Sequence, residues 1–426
     1  MRARTLSKSK ILIPVLALGL VAGCDAPTGP SEVRSDKTRL DVSHVPASEI
    51  NELARGNTAF ALDLYRLLAK EPGNHIFSPY SISLALAMTY GGARGDTERQ
   101  MSQVLRFPLP QDPLHPRFNA LDQALMSRGR GQSGADGGPF RLRLANSLWA
   151  QQGYFFLPAF LDLLAQHYGA GLNVLDFAQA PEEARLVINN WVEKQTEERI
   201  KDLLPPGSIK DSTRLVLTNA VYFNAAWAKP FNKDATRPSA FHLLDGSEVM
   251  VPMMAGRVRA PTAEVNGVQA IELPYQGEEV GLLVLLPPQG RLTELETQLD
   301  AGLLDSIVSR LALTDTRVEL PRFEINSAFS LKEALSSLGM RDLFRPGGAD
   351  LSGINGRRDL FVSDVVHKGF IKVTEAGTEA SGATGVIIGV VSAPANTLVV
   401  DRPFLYAVRD RATGSILFLG RVVDPR

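Results

Sequence analysis

Between Lys372 and Ile388 the chain reads KVTEAGTEASGATGVII, and the chemistry this offers is that of a strand waiting for a sheet. One carboxylate, Glu375, is followed by eleven residues, Ala376 to Val386, that are almost all small. With a period of two, Thr378, Ala380, Gly382 and Thr384 share one face, while Glu379, Ser381, Ala383 and Gly385 share the other. Gly and Ala form strands poorly, so the segment does not hold as a strand alone. Every residue on the first face is nonetheless small enough to be buried between strands already in place. Loop-like propensity and strand-compatible pattern together imply two conformations. On composition alone a flexible Gly/Ala linker is the simpler reading, and the rest of the chain has to decide.

The second chemically distinctive residue is the chain's only cysteine, Cys24, which rules out an intramolecular disulfide. Arg2, Arg4, Lys8 and Lys10 precede an apolar run, Ile11 to Val21, that is too short for an ordinary transmembrane span. The run ends in Val21-Ala22-Gly23-Cys24, which resembles a bacterial lipobox. Residues 1–23 are therefore expected to be a signal peptide, and Cys24 a lipidated N-terminus. Two or more acyl chains there would supply the stable anchoring that one chain does not. The protein is then expected to be exported and held on a bacterial envelope membrane, on its periplasmic or outer face.

Enzymatic chemistry finds little support. The sequence contains no G-x-S-x-G elbow, no H-E-x-x-H and no P-loop. Its six histidines are scattered outside any ligand spacing, so no metal or other cofactor is expected. A net charge of −1 argues against a nucleic-acid partner, which needs a basic stripe.

The elements that must position these residues follow from periodicity. With 426 residues and 44% apolar content, a large core is expected. Residues 24–48 are Pro-, Ser- and charge-rich and read as a disordered tether. Residues 50–70 and 81–90 read as helices, the second apolar nearly all round. Residues 126–138 (MSRGRGQSGADGG) form a polar Gly-rich loop, and 142–149 a strand. Residues 158–168 and 181–199 are amphipathic helices. From 215 to 223 the chain alternates poorly and is apolar nearly throughout, as a strand buried on both faces would be. Further strands are expected at 270–274, 281–286, 317–320, 361–372 and 415–422, with a helix at 329–338. Helices mostly first and strands mostly later imply one α+β domain, residues 49–426, around a large sheet.

At this point a set of motifs resembles the serpin family over about Ile50 to Arg426. Asn74-His75-Ile76-Phe77-Ser78-Pro79-Tyr80-Ser81-Ile82 is similar to the family's N-x-x-F-S-P-x-S-I, and Gly92 to Thr97 to its G-A-x-G-x-T. Leu217 to Phe223, with Trp227 and Phe231, resembles its N-A-x-Y-F…W…F strand. Ala349 to Ile354, Val366-His367-Lys368, Asp401 to Phe404 and Gly414 to Val422 match further blocks in family order. The resemblance implies eight or nine helices around three β-sheets, and an exposed reactive loop at about 375–400.

It also implies a bait-and-trap inhibitor. A serine protease attacks the loop and forms an acyl-enzyme; the cut loop enters the central sheet as a strand and drags the protease along before it can deacylate. Glu375, Gly377, Thr378, Ala380, Gly382 and Thr384 would be the hinge, with Glu379 left in water on the opposite face. Ser81 also belongs to a shutter beneath the sheet, with Ser78, Asn219 and His367. Trp227, Arg322 and Glu375 form a breach at its top, Arg322 standing where a lysine is usual. Family spacing puts the scissile bond at Val391–Ser392, within a residue or two. Its β-branched approach, Ile387, Ile388 and Val390, suits an elastase-like or subtilisin-like protease. A monomer is expected. The alternative is a non-inhibitory serpin acting as a binding protein or chaperone, whose hinge would usually carry bulky or charged residues or proline.

Overall fold

The computed structural model describes residues 31–379 and 396–426. Helices α1 (Ala47–Leu68), α2 (Pro79–Tyr90), α3 (Gly95–Val104), α4 (Gln111–Met126), α5 (Pro158–Leu163) and α6 (Pro181–Gln195) come early. Helices α7 (Leu292–Gln298), α8 (Ala301–Ser309), α9 (Lys332–Leu338) and α10 (Ser352–Asn355) come late. The early strands are β1 (Ser31–Val33), β2 (His75–Phe77), β3 (Arg141–Gln151), β4 (Leu172–Leu175) and β5 (Leu215–Ala226). They are followed by β6 (Arg237–His242), β7 (Glu248–Val265), β8 (Val268–Pro274), β9 (Val280–Leu286), β10 (Ala312–Pro321) and β11 (Phe323–Ser330). The last are β12 (Val362–Thr374), β13 (Gly377–Thr378), β14 (Asn396–Val399), β15 (Phe404–Asp410) and β16 (Ile416–Val422).

The fold is α+β, as expected. The central sheet has the order β1-β4-β3-β5-β13-β12-β11, and β5 also pairs directly with β12. The second sheet runs β14-β10-β7-β8-β9-β15-β16-β2, with β6 on β7. Three sheets were expected and two are hydrogen-bonded units, because β7 is long enough to pair with β10 at Ala312–Pro321 and with β8 at Val268–Ile271. All twelve residues of β5 are buried, which explains its largely apolar sequence. Every residue of α2 is buried too, so it has no polar face to display. Pro79 opens that helix and the Ser78 hydroxyl caps it, accepting from the Ser81 amide at 3.3 Å.

Two expectations are corrected. Phe329 belongs to strand β11, and the helix begins only at Lys332. Residues 31–48 are not a tether. β1 adds to the sheet edge antiparallel to β4, Ser31 opposite Val174 and Val33 opposite Leu172. Behind it, Arg39 Nε donates to Asn119 Oδ1 at 2.7 Å and its guanidinium pairs with Asp122 at 2.7 Å. The Leu40 amide donates to the Gln166 carbonyl at 2.9 Å. A three-residue strand held by backbone and ion-pair contacts needs no apolar period, so composition could not reveal it. Among the described residues, no helix is long and apolar enough to cross a membrane.

Candidate functional site

The site is the seam between β5 and β12. These strands run parallel and pair from Leu215/Val362 to Val221/Gly369. Above Gly369 they separate, and β13 occupies the mouth of the opening, antiparallel to both. Thr378 pairs with Val373 on one side and Ala225 on the other. The two hinge residues Gly377 and Thr378 are thus already in the sheet. Gly377 is required there, since a Cβ at this position would lie 2.1 Å from the Ala225 carbonyl oxygen. Thr378 is fully buried and its hydroxyl meets the Tyr275 hydroxyl at 2.5 Å.

Glu375 turns the chain between β12 and β13. Its buried carboxylate accepts from Arg322 Nε at 2.7 Å and from the Thr236 hydroxyl at 2.5 Å. Burial alone would raise this carboxyl; the Arg322 and Thr236 hydrogen bonds outweigh it and hold the carboxyl below the usual glutamate range. The Trp227 indole donates to the Thr374 carbonyl at 2.9 Å, and its amide donates to the Ala376 carbonyl at 3.0 Å. Trp227, Arg322 and Glu375 therefore converge on the turn between β12 and β13. Sequence reasoning missed Tyr275, which stacks on Trp227 with ring centroids 4.6 Å apart and supports Thr378.

The shutter residues also meet. His367 and Asn219 are register partners across β12 and β5. His367 Nε2 accepts from the Ser78 amide at 3.0 Å, so Nδ1 carries the proton and donates to Asn219 Oδ1. Asn219 Nδ2 donates to the Ser81 hydroxyl at 2.6 Å and to Asn146 Oδ1 at 2.5 Å. Asn146, on β3 opposite Asn219, is a member the sequence reading did not name. Complete burial pushes His367 down to about 3, so it stays a neutral donor–acceptor at physiological pH.

Glu379 corrects a further expectation. Its face was read as water-exposed, but the residue is buried, at φ +55, with its amide donating to the Lys372 carbonyl at 2.5 Å. The carboxylate forms an ion pair with Arg199, yet neither oxygen accepts a well-formed hydrogen bond among the described residues. Burial pushes the carboxyl up to about 7, opposed by Arg199 and Arg141 and assisted by Asp136 and Glu197. Below this value the folded hinge holds a proton that the unfolded chain releases, so stability must fall as pH rises from about 5 to 8. The apparent melting temperature of the intact protein should show this fall, and Glu379→Gln should flatten it. Equal slopes in the two proteins would place the effect elsewhere.

The Gly-rich loop after α4 has a second role beyond being a polar surface. The Ala135 amide donates to Asn224 Oδ1 at 2.6 Å, and the Ala226 amide donates to the Ser133 carbonyl at 3.1 Å, so the loop backs the hinge strand. Gly129 to Gly134 reads GRGQSG and fits the spacing G-x-G-x-x-G, which sequence reasoning passed over. It joins helix α4 to strand β3. A phosphate-binding turn follows a strand and opens a helix, so the backbone arrangement for that chemistry is not there. Ala380, Gly382, Thr384, Val391, Ser392 and Cys24 lie outside the described residues. Among the described residues no group of three or more His, Cys, Asp or Glu side chains could hold a metal.

Comparison with known proteins fits this geometry. The sequence model of the serpin (serine protease inhibitor) family matches residues 55–425. An uncharacterized serpin-like protein of Thermococcus kodakarensis is 36% identical, over 98% of this chain and 99% of its own length. The leukocyte elastase inhibitor of Equus caballus is 40% identical, over 88% of this chain and all of its own. Among solved structures, the thermophilic serpin tengpin in its native state superposes with a TM-score of 0.81 at 26% identity, covering 93% of this chain and all of tengpin. A seam that opens above a buried histidine network, with small hinge residues at its mouth, accords with these likenesses: the chain belongs to the serpin family of serine protease inhibitors.

Proposed function

We propose that this serpin traps elastase-like or subtilisin-like serine proteases by inserting its cleaved loop between β5 and β12. The observation that carries this reading is the register of β13. Thr378 opposite Ala225 and Val373 sets the alignment for every residue that follows it. Continued along the seam, Ala380 comes level with Phe223 and Ile371, and Gly382 with Val221 and Gly369. Thr384 comes level with Asn219 and His367, which are themselves paired. Small inward residues thus meet the seam at each step, and a hydroxyl arrives at the polar network able to exchange hydrogen bonds with it. The leukocyte elastase inhibitors among the relatives support the choice of protease class.

Incubation with a panel of serine proteases, read as complexes that survive denaturing electrophoresis, tests the mechanism. The mass of the released C-terminal fragment tests the bond. Cleavage is expected at Val391–Ser392, within two residues, and a cut outside 389–393 would overturn the assignment. Val391→Arg is expected to shift inhibition toward trypsin-like proteases, whose specificity pocket carries a carboxylate. We further propose that Cys24 carries a lipid anchor and that residues 1–23 are removed as a signal peptide, on the strength of the Val21-Ala22-Gly23-Cys24 motif.

A further inference from the structure

Where β1 enters the sheet fixes how the body can sit on a membrane. Ser31 pairs with Val174, Val174 with Ala150, Ala150 with Leu215 and Leu215 with Val362. These five residues form one row across the end of the central sheet. The hinge row, Ala225–Thr378–Val373, lies at the other end. Eleven residue steps along β12 separate Val362 from Val373, about 36 Å at 3.3 Å per step. From Cys24 to Ser31 there are only seven steps of chain, a reach of at most about 25 Å. A tether running to residue 48 would let the body turn freely; one ending at Ser31 does not.

The same end of the sheet carries an exposed aromatic. Phe155, in the turn that follows β3, is 70% exposed. The amide of Leu157 donates to the carbonyl of Ile354 at 2.8 Å, which brings the loop bearing exposed Arg357 beside that turn. The amide of Gln151 donates to the Arg214 carbonyl at 3.0 Å, which brings in the turn bearing exposed Lys210. These turns also expose Asp211, Arg358 and Asp359, which leaves one cation in excess, and an exposed aromatic beside a slight excess of cations suits the headgroup layer of a bilayer.

We propose that the anchored protein rests on its bilayer through this pole, Phe155 with Lys210 and Arg357, so that the hinge end of the central sheet faces away from the membrane toward incoming proteases. The inference rests on the reading of Cys24 as a lipid anchor. The test uses the full acylated chain in phosphatidylethanolamine/phosphatidylglycerol vesicles carrying a headgroup acceptor dye. Acylation consumes the chain's only cysteine, so an introduced one is a unique label site. A donor at Gln152→Cys, beside Phe155, should transfer energy to the membrane several-fold more than one at Lys233→Cys, beside the breach. Equal or reversed transfer in an acylated chain would overturn the orientation alone. If labelled palmitate does not enter the chain, or enters Cys24→Ala equally, the anchor reading fails and the orientation with it.

Discussion

Thr378→Arg should convert the inhibitor into a substrate: cleaved by its target, but no longer able to hold it. Thr378 is fully buried between β5 and β12, hydrogen-bonded to Tyr275 in a pocket floored by the Tyr275–Trp227 stack. Among the described groups around it, the nearby carboxylates are already engaged, Glu375 by Arg322 and Glu379 by Arg199. An arginine at 378 would be buried without a partner, which costs several kcal/mol per ion. The hinge would leave the sheet, and every insertion attempt would have to bury that charge first. If about 3 kcal/mol of this penalty enters the insertion transition state, insertion slows about 100-fold. Deacylation of the protease then wins the race. The stoichiometry of inhibition should rise steeply while Thr378→Ser, which keeps the hydroxyl, stays close to the parent. An unchanged stoichiometry for Thr378→Arg would show that residue 378 does not enter the sheet on the path to the trapped complex.

What the sequence made legible follows from which interactions leave a local trace. The small residues from Gly377 onward, the buried β5 and the shutter quartet are each visible as composition or motif. The insertion of β13 is not, because two residues of strand have no period to read and, besides the adjacent β12, their partner is a strand some 150 positions upstream. Strand β7, eighteen residues long, escaped notice because Pro252, Gly256 and Pro261 interrupt its pattern, and proline ordinarily argues against a strand. Its prolines are accommodated where β7 meets short or edge partners, Pro252 opposite Pro238 of β6 and Pro261 opposite Leu313 near the start of β10. Asn146 and Tyr275 join the site only through sheet register and ring stacking, neither of which a single sequence displays. Glu379 was assigned to solvent from its alternation alone. The structure instead packs it against the loop carrying Asp136 and against Arg199, in the turn beyond α6, both remote in sequence.

Cleavage of the reactive loop should raise the melting temperature of the protein sharply. In the intact chain the seam is incomplete: β5 and β12 pair only as far as Val221 and Gly369, and β13 fills only the two rows at Ala225–Ala226 and Val373–Thr374. The rows between, at residues 222–224 and 370–372, have no strand between them among the described residues. A cut loop is free to continue from Thr378 down the seam, replacing the single β5–β12 ladder with two. Each added ladder bond contributes about 0.5–1.5 kcal/mol net. The same step buries Val386, Ile388 and Val390 in the inward alternation, at roughly 1.5–3 kcal/mol for each large side chain. Ordering the loop backbone opposes this by about 1–2 kcal/mol per residue. The opposition is reduced because the first two residues are already seated and the small side chains that follow lose little rotamer freedom. For a domain of this size a rise of at least about 10 °C, at roughly 1.3 °C per kcal/mol, would report a gain of about 8 kcal/mol. The measurement is a melt of intact and loop-cleaved protein under identical conditions. A chain merely nicked in a linker would melt at the same temperature or lower, and that result would remove the inserted strand, and with it the trapping mechanism, from the account of this protein.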